Sequence, residues 1–260
     1  IVRVGRPANE PQKPVLPNPI IIFGAGIVLS IALGLLFVLV MDNLEDTVVN
    51  LADIEGRLAL KVLAVLPHVR RKKREQVARF TVEDKYSQFA ESVAGLRNLL
   101  DSPRYESMSH CMLIISTQPG EGKTITATSL SITYAQAGKK TLLVDFDLRR
   151  PRLAHVWGLD IDRAHSFSHV LQDANGGAKP DFAALLNKTT VNGLDVISSL
   201  PPEGVSPATI LGSRVVADFF DWARAHYERI IVDSPPFGLV GDVVSLAMLV
   251  DSAIIMCCPD

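Results

Sequence analysis

The chain has 260 residues, a formal charge of −2 and 48% hydrophobic residues, enough for one full-sized domain with accessory segments. The near-neutral charge lacks the basic excess of a dedicated nucleic-acid binder, so no nucleic-acid partner is expected. Cys111, Cys257 and Cys258 make no disulfide framework. All three lie in or beside apolar runs, which predicts buried, reduced thiols and a reducing compartment for the region after residue 100.

Residues 1–19 are Pro-rich (Pro7, Pro11, Pro14, Pro17, Pro19) and read as an irregular segment. Ile20–Met41 is then continuously apolar, with Ser30 as its one clearly polar member. As a helix it is roughly 33 Å long, enough to cross a bilayer core, and it lacks the short apolar core and basic start of a signal peptide. Gly26, Ser30 and Gly34 recur on one face, a spacing that permits close helix packing in lipid. Arg3, Arg6 and Lys13 before the span would turn the N-terminus inward. The loop at 116–124 described below follows the span and belongs on the cytoplasmic side, so residues 1–19 are placed outside. Residues 42–83 form a charged juxtamembrane segment, whose run Arg70-Arg71-Lys72-Lys73-Arg74 suits either anionic headgroups or a solvated linker.

From Lys85 to Leu100 the positions Tyr86, Phe89, Val93, Leu96 and Leu100 make one apolar helical stripe, with Glu91 and Arg97 on the polar side. An apolar strand at Met112–Ile115 then breaks into Ser116-Thr117-Gln118-Pro119-Gly120-Glu121-Gly122-Lys123-Thr124 and a helix. Strand, glycine-bearing loop ending in Gly-Lys-Thr, and helix is the context of a phosphate-binding P-loop. Glycines let main-chain N–H groups turn inward around an anion, and the new helix adds the positive end of its dipole. Lys123 is suited to the outer phosphates and the Thr124 hydroxyl to Mg²⁺. The strict pattern asks for glycine where this chain has Thr117, a β-branched residue expected to keep an ordinary negative φ.

Ala127, Leu130, Tyr134 and Ala137 predict the buried stripe of the helix after the loop, and Gly138 its stop. Lys140–Val144 reads as a buried parallel strand ending in Asp145-Phe146-Asp147-Leu148-Arg149. Strand alternation puts Asp145 and Asp147 on one side of the edge where open α/β sheets bind ligands. Residues 152–190 carry His155, His165 and His169 at no metal-ligand spacing. Leu194–Ile197 is a short strand, and Val205–Tyr227 is mostly helical. Ile230–Val232 is a buried strand ending in Asp233, with Pro235 and Pro236 to stop it. Val240–Leu249 reads as helix and Ala253–Cys258 as a last apolar strand. The fold class is α/β, a P-loop NTPase-like, doubly wound, mostly parallel sheet preceded by a transmembrane helix. The Ile start and the apolar final strand, whose edge would be exposed, suggest a piece of a longer chain.

Three acids at strand ends beside one phosphate loop match what phosphoryl transfer needs: groups to hold a metal and its waters, and a base or positioner for the nucleophile. The combination STQPGEGKT, LLVDFDLRRP and IIVDSPP resembles the bacterial tyrosine kinases attached to exopolysaccharide co-polymerases. The resemblance spans most of the chain. It implies that residues 1–66 contain the end of a periplasmic domain, the membrane helix 20–41 and the juxtamembrane segment, and that the kinase domain begins near residue 84, all at the bacterial inner membrane. It implies ATP bound by Thr117, Gln118, Pro119, Gly120, Glu121, Gly122, Lys123, Thr124 and Ile125, with Arg149 nearby. It also implies Mg²⁺ organised by Thr124, Asp145 and Asp233, Lys123 on the phosphates, and Asp147 as the base facing a tyrosine hydroxyl. Ring-like homo-oligomers would form through the helix carrying Glu91 and Arg97, where Ala94 replaces the family's middle Arg. The acceptor would be a neighbouring subunit's tyrosine-rich tail. Polysaccharide polymerase and export machinery and a phosphotyrosine phosphatase are the implied partners. This chain has only Tyr86, Tyr105, Tyr134 and Tyr227, all scattered, and Ser206–Leu211 keeps only part of the family's Asn-Pro-x-Glu-Leu-Leu element.

Two alternatives compete with an ATP-dependent tyrosine autokinase. One is a co-polymerase scaffold whose nucleotide domain binds ATP without transferring phosphate. The other is a partitioning or septum-positioning ATPase of the MinD/ParA type, whose loops carry an additional lysine near their start and which lack a membrane span.

Overall fold

The computed structural model describes residue 5, residues 19–44, residue 56 and residues 60–67, 87–163, 165–237 and 242–258. The chain divides into two compact units, Ile1–Asp53 with Pro259–Asp260, and Ile54–Cys258. The first unit's described residues are Gly5 and a helix, α1 (Pro19–Leu44). Its stretch Ile20–Val40 is long and apolar enough to cross a membrane, and none of it is buried within the protein. Along it Ser30 Oγ donates to Gly26 O at 2.8 Å, so this hydroxyl is satisfied inside its own helix. The basic run at 70–74 and Tyr86 lie outside the described residues.

The second unit is built on a six-stranded sheet. Its strands are β1 (Cys111–Ser116), β2 (Thr141–Asp145), β3 (Asn187–Lys188), β4 (Leu194–Ile197), β5 (Arg229–Asp233) and β6 (Ser252–Met256). They lie in the order β3-β4-β2-β5-β1-β6, parallel except for the two-residue β3. Parallel strands need crossovers, and the helices supply them on both faces.

Side-chain alternation sorts the strands into two cores. Cys111 and Leu113, Leu142 and Val144, and Ile230 and Val232 face one layer of helices. That layer holds α5 (Phe167–Asn175), α6 (Pro207–Leu211), α7 (Arg214–His226) and α8 (Asp242–Ala247). It encloses an aromatic cluster in which Phe146 meets Phe167 edge-on, ring centroids 4.9 Å apart, and stacks on Phe220 at 5.4 Å. Met112 and Ile114, Leu143 and Ile231 face the other layer. It is made of α2 (Gln88–Leu100), α3 (Lys123–Gln136) and the short α4 (Leu153–Trp157).

Helix α2 starts where Ser87 Oγ accepts the Ala90 N–H at 3.2 Å, and it buries Ala90, Val93, Leu96 and Leu100, nearly the predicted stripe. Helix α3 departs from its predicted stripe: everything from Thr126 to Ala135 is buried, whereas Ala137 is exposed. The sheet covers one side of α3 and α2 the other, so its small hydroxyls are interior groups: Ser131 Oγ donates to Ala127 O at 2.7 Å and Thr133 Oγ1 to Leu130 O at 2.8 Å, while Thr128 Oγ1 has no partner among the described residues. Gly138, at φ +84°, follows its last turn as predicted.

The thiols need a second correction. Cys111 is buried, but Cys257 and Cys258 are exposed, because β6 ends at Met256 and the pair lies beyond the ladder rather than in it. β6 is an edge strand, with Ile255 44% exposed.

Candidate active site

β1, β2 and β5 all end at the same edge of the sheet, and their last residues and following loops build the site. The β1 strand hands over to the phosphate loop, in which Gly120 and Gly122 hold φ of +93° and +99°. Only glycine takes these angles cheaply, and they are what turns the loop's N–H groups inward. Gly122 is also the N-cap residue of α3, so the loop opens directly onto that helix's positive end.

Lys123 is 8% exposed, and its Nζ donates to Ser116 Oγ at 2.7 Å. Burial lowers its pKa, opposed by the charges of Asp233, Asp147 and Glu121 and reinforced by Arg152. Glu121 staples the loop: its carboxylate accepts the Gln118 N–H at 2.9 Å, the Thr117 hydroxyl at 3.2 Å and the Cys258 N–H at 3.2 Å. The residue that departs from the strict loop pattern, Thr117, is thus tied to the loop by its own side chain. Thr117, Gln118, Pro119 and Gly120 are exposed, while Thr124 and Ile125 are half-buried.

Asp145 and Asp233 are register partners across β2 and β5. The Asp233 carboxyl is pushed up to about 7, chiefly by burial and also by Asp147, against the Thr124 hydroxyl bond, Lys123 and Arg152. Its Oδ1 is buried and makes no hydrogen bond among the described residues. An acceptor-only oxygen left bare beside a threonine hydroxyl fits a hydrated cation. Among the described residues no three acidic, histidine or cysteine side chains cluster as a complete cage. Mg²⁺ does not need one, since it is bound by one or two carboxylates and completes its shell with water and phosphate.

Asp145 is fully buried, and its pKa is raised well above the ordinary value by burial and by Asp233. Its two oxygens take three main-chain N–H groups: Asp147 at 3.1 Å, Arg152 at 2.9 Å and Leu153 at 3.0 Å. Its immediate work is to fold the loop between β2 and α4 back onto the strand end. Asp147 sits half-buried on that loop and accepts the Arg150 N–H at 3.0 Å; Arg149 is exposed. The predicted acids Asp147 and Asp233 and the phosphate-loop lysine are therefore brought within electrostatic reach of one another.

Two residues escaped the sequence reading. Ser116, the last residue of β1, is the partner of Lys123. Arg152 acts on both Lys123 and Asp233, and the basic run Arg149-Arg150-Pro151-Arg152 at a strand end was its signal. A cleft of about 360 Å³ at the end of β4, lined by Arg163, Ser166, Ser168, His169 and Glu203 among others, contains none of the phosphate-loop residues.

Comparison with known proteins agrees with the motif reading. The chain is 29% identical over 169 residues to the tyrosine-protein kinase YwqD of Bacillus subtilis, covering 64% of this chain and 67% of that protein. It is 26% identical over 257 residues to the tyrosine-protein kinase ptk of Acinetobacter johnsonii, covering 95% of this chain and 34% of that protein. The chain therefore spans about a third of the longer relatives it matches. Among solved structures, the chimerical protein CapA2B2 matches with a TM-score of 0.67 at 26% identity, over 79% of this chain and 84% of its own. The BceF tyrosine kinase domain shares the fold with a TM-score of 0.68 at 21% identity, over 81% and 86% of the two chains. The profile of the CobQ/CobB/MinD/ParA nucleotide binding domain (CbiA) matches residues 112–244, just over half of the chain. The chain belongs to the CobQ/CobB/MinD/ParA nucleotide-binding family, and the relatives it resembles there are bacterial tyrosine-protein kinases.

Proposed function

We propose that this chain is the membrane-anchored, ATP-dependent part of a protein tyrosine autokinase that regulates exopolysaccharide or capsule polymerisation and export. The observation that carries the reading is the meeting of Lys123, Asp147 and Asp233 at one sheet edge, on a phosphate loop with two positive-φ glycines. Relatives named as tyrosine-protein kinases favour this reaction over simple ATP hydrolysis.

In this reading the loop from Thr117 to Ile125 wraps the phosphates, with Lys123 on the outer ones and Arg149 at the rim. Asp147 accepts the proton of the tyrosine hydroxyl as its oxygen attacks the γ-phosphorus. The new O–P bond forms as the bond to ADP breaks. Asp233 and Thr124, with Asp145 behind them, would hold Mg²⁺, which neutralises charge on the transferring phosphoryl group. Helix α1 anchors the protein, with residues 1–19 outside the cytoplasm and the nucleotide domain, residues 84–260, inside it.

The acceptor comes from a neighbouring subunit in a homo-oligomer joined through the Glu91/Arg97 helix and the α1 face. Tyr134 and Tyr227 are buried, Tyr227 hydrogen-bonds Asp195 at 2.7 Å, and Tyr105 is half-buried. None of these three is presented as a substrate. Residues 42–83 are the juxtamembrane linker, and the polymerase, export machinery and phosphatase are partners of the whole assembly.

Full-length protein incubated with ATP and Mg²⁺ and probed for phosphotyrosine tests this. Lys123→Met should abolish labelling. Normal labelling by that variant would refute the site, and nucleotide binding without labelling in the unaltered protein would favour the scaffold.

A further inference from the structure

Arg152 lies at the N-terminal boundary of α4 and belongs to none of the motifs discussed above. Its main chain is pinned: the Arg152 N–H and the next, Leu153, both donate to Asp145 Oδ2, at 2.9 and 3.0 Å. Asp145 is in turn the register partner of Asp233. The Arg152 side chain thus springs from a backbone held one carboxylate away from the strand that carries Asp233. The side chain is exposed and makes no hydrogen bond or ion pair with another described residue.

We propose that the Arg152 guanidinium is a second cation for the terminal phosphate of the bound nucleotide, acting beside Lys123 and favouring triphosphate over diphosphate. The proposal rests on reading the loop at 117–125 as the nucleotide site.

The charges support it. Arg152 lowers the pKa of both Lys123 and Asp233, so it lies within range of both. Lys123 itself is bonded to a serine hydroxyl rather than to a carboxylate. Two cations set against each other at one sheet edge, neither in a direct ion pair, repel until a polyanion lies between them. A guanidinium suits that task, since its planar fork meets two phosphate oxygens at once. Lys123 is rooted in α3 and Arg152 in the loop after β2, so they approach the phosphates from different elements. The main-chain anchor on Asp145 needs no side chain at 152, so replacing the arginine removes the guanidinium and leaves the loop's fold in place.

The test is the affinity of the full-length, detergent-solubilised protein for fluorescent ATP and ADP analogues with Mg²⁺. Arg152→Gln should weaken ATP by roughly tenfold more than ADP, the scale of a charge-assisted phosphate contact. Arg152→Lys should recover part of that difference. Arg150→Gln, two residues away and equal in charge change, should leave the ATP-to-ADP ratio unchanged. An unchanged ATP-to-ADP ratio in Arg152→Gln, or an equal change in Arg150→Gln, overturns the proposal. If the unaltered protein binds neither nucleotide, the reading of the site itself has failed.

Discussion

Asp233 has an unusual position for an acid: interior, one oxygen without a hydrogen bond, and titrating near 7 rather than at the ordinary 3.8. Between those two values the folded protein holds a proton that the unfolded chain has released. Stability of the nucleotide-free protein should therefore fall as pH rises from about 4 to about 7. Asp145 is shifted in the same direction, so Asp233→Asn should make the fall shallower without abolishing it, as thermal unfolding across that pH range would show. Gly122 is the other residue whose chemistry is dictated by place. A Cβ there would meet nothing within 4 Å, so the whole cost of substitution lies in its φ of +99°. Gly122→Ala should cost about 1–2 kcal/mol in denaturant unfolding and should also weaken nucleotide binding, because the loop's N–H groups would turn.

Among the elements, α1 and α3 show how differently two helices can be specified. α1 is apolar around its whole circumference and long enough to cross a membrane, the pattern of a helix suited to a lipid surround. Ile31→Lys with Leu35→Lys should shift full-length protein from the membrane to the soluble fraction, since each lysine costs about 2.5–3.5 kcal/mol at the centre of a span. An unchanged distribution would show that α1 is not the anchor. α3 carries six serines and threonines yet is buried from Thr126 to Ala135. Composition gives no hint of that. It follows from having β1, β2 and β5 on one side and α2 on the other. The β2–α4 loop is a third case: its shape is set by one carboxylate taking three N–H groups, which also fixes the main chain of Arg152 beside Asp145.

For the molecule as a whole, the strand order β3-β4-β2-β5-β1-β6 explains why residues more than a hundred positions apart in sequence can act together. β5 is the central bridge: it pairs with β1 on one side and β2 on the other, and so sets Asp233 between the phosphate loop and the Asp145–Arg152 loop.

The sequence by itself determined the membrane-length helix, the parallel α/β class, the glycine-bearing loop that opens onto α3 and the acids that close β2 and β5. Each is a local signal: an unbroken apolar run, strand-then-helix periodicity, glycines ahead of Lys-Thr, and an aspartate closing an apolar strand. Tertiary structure decided the rest. It showed that Asp145 spends its oxygens on main-chain N–H groups, that Glu121 ties the loop to the main chain just past β6, that Cys257 and Cys258 face outward, and that the main chain of Arg152 is pinned to Asp145. The physical reason is that burial, charge and hydrogen-bond partners depend on what lies across the sheet. Period and propensity report only what lies along the chain.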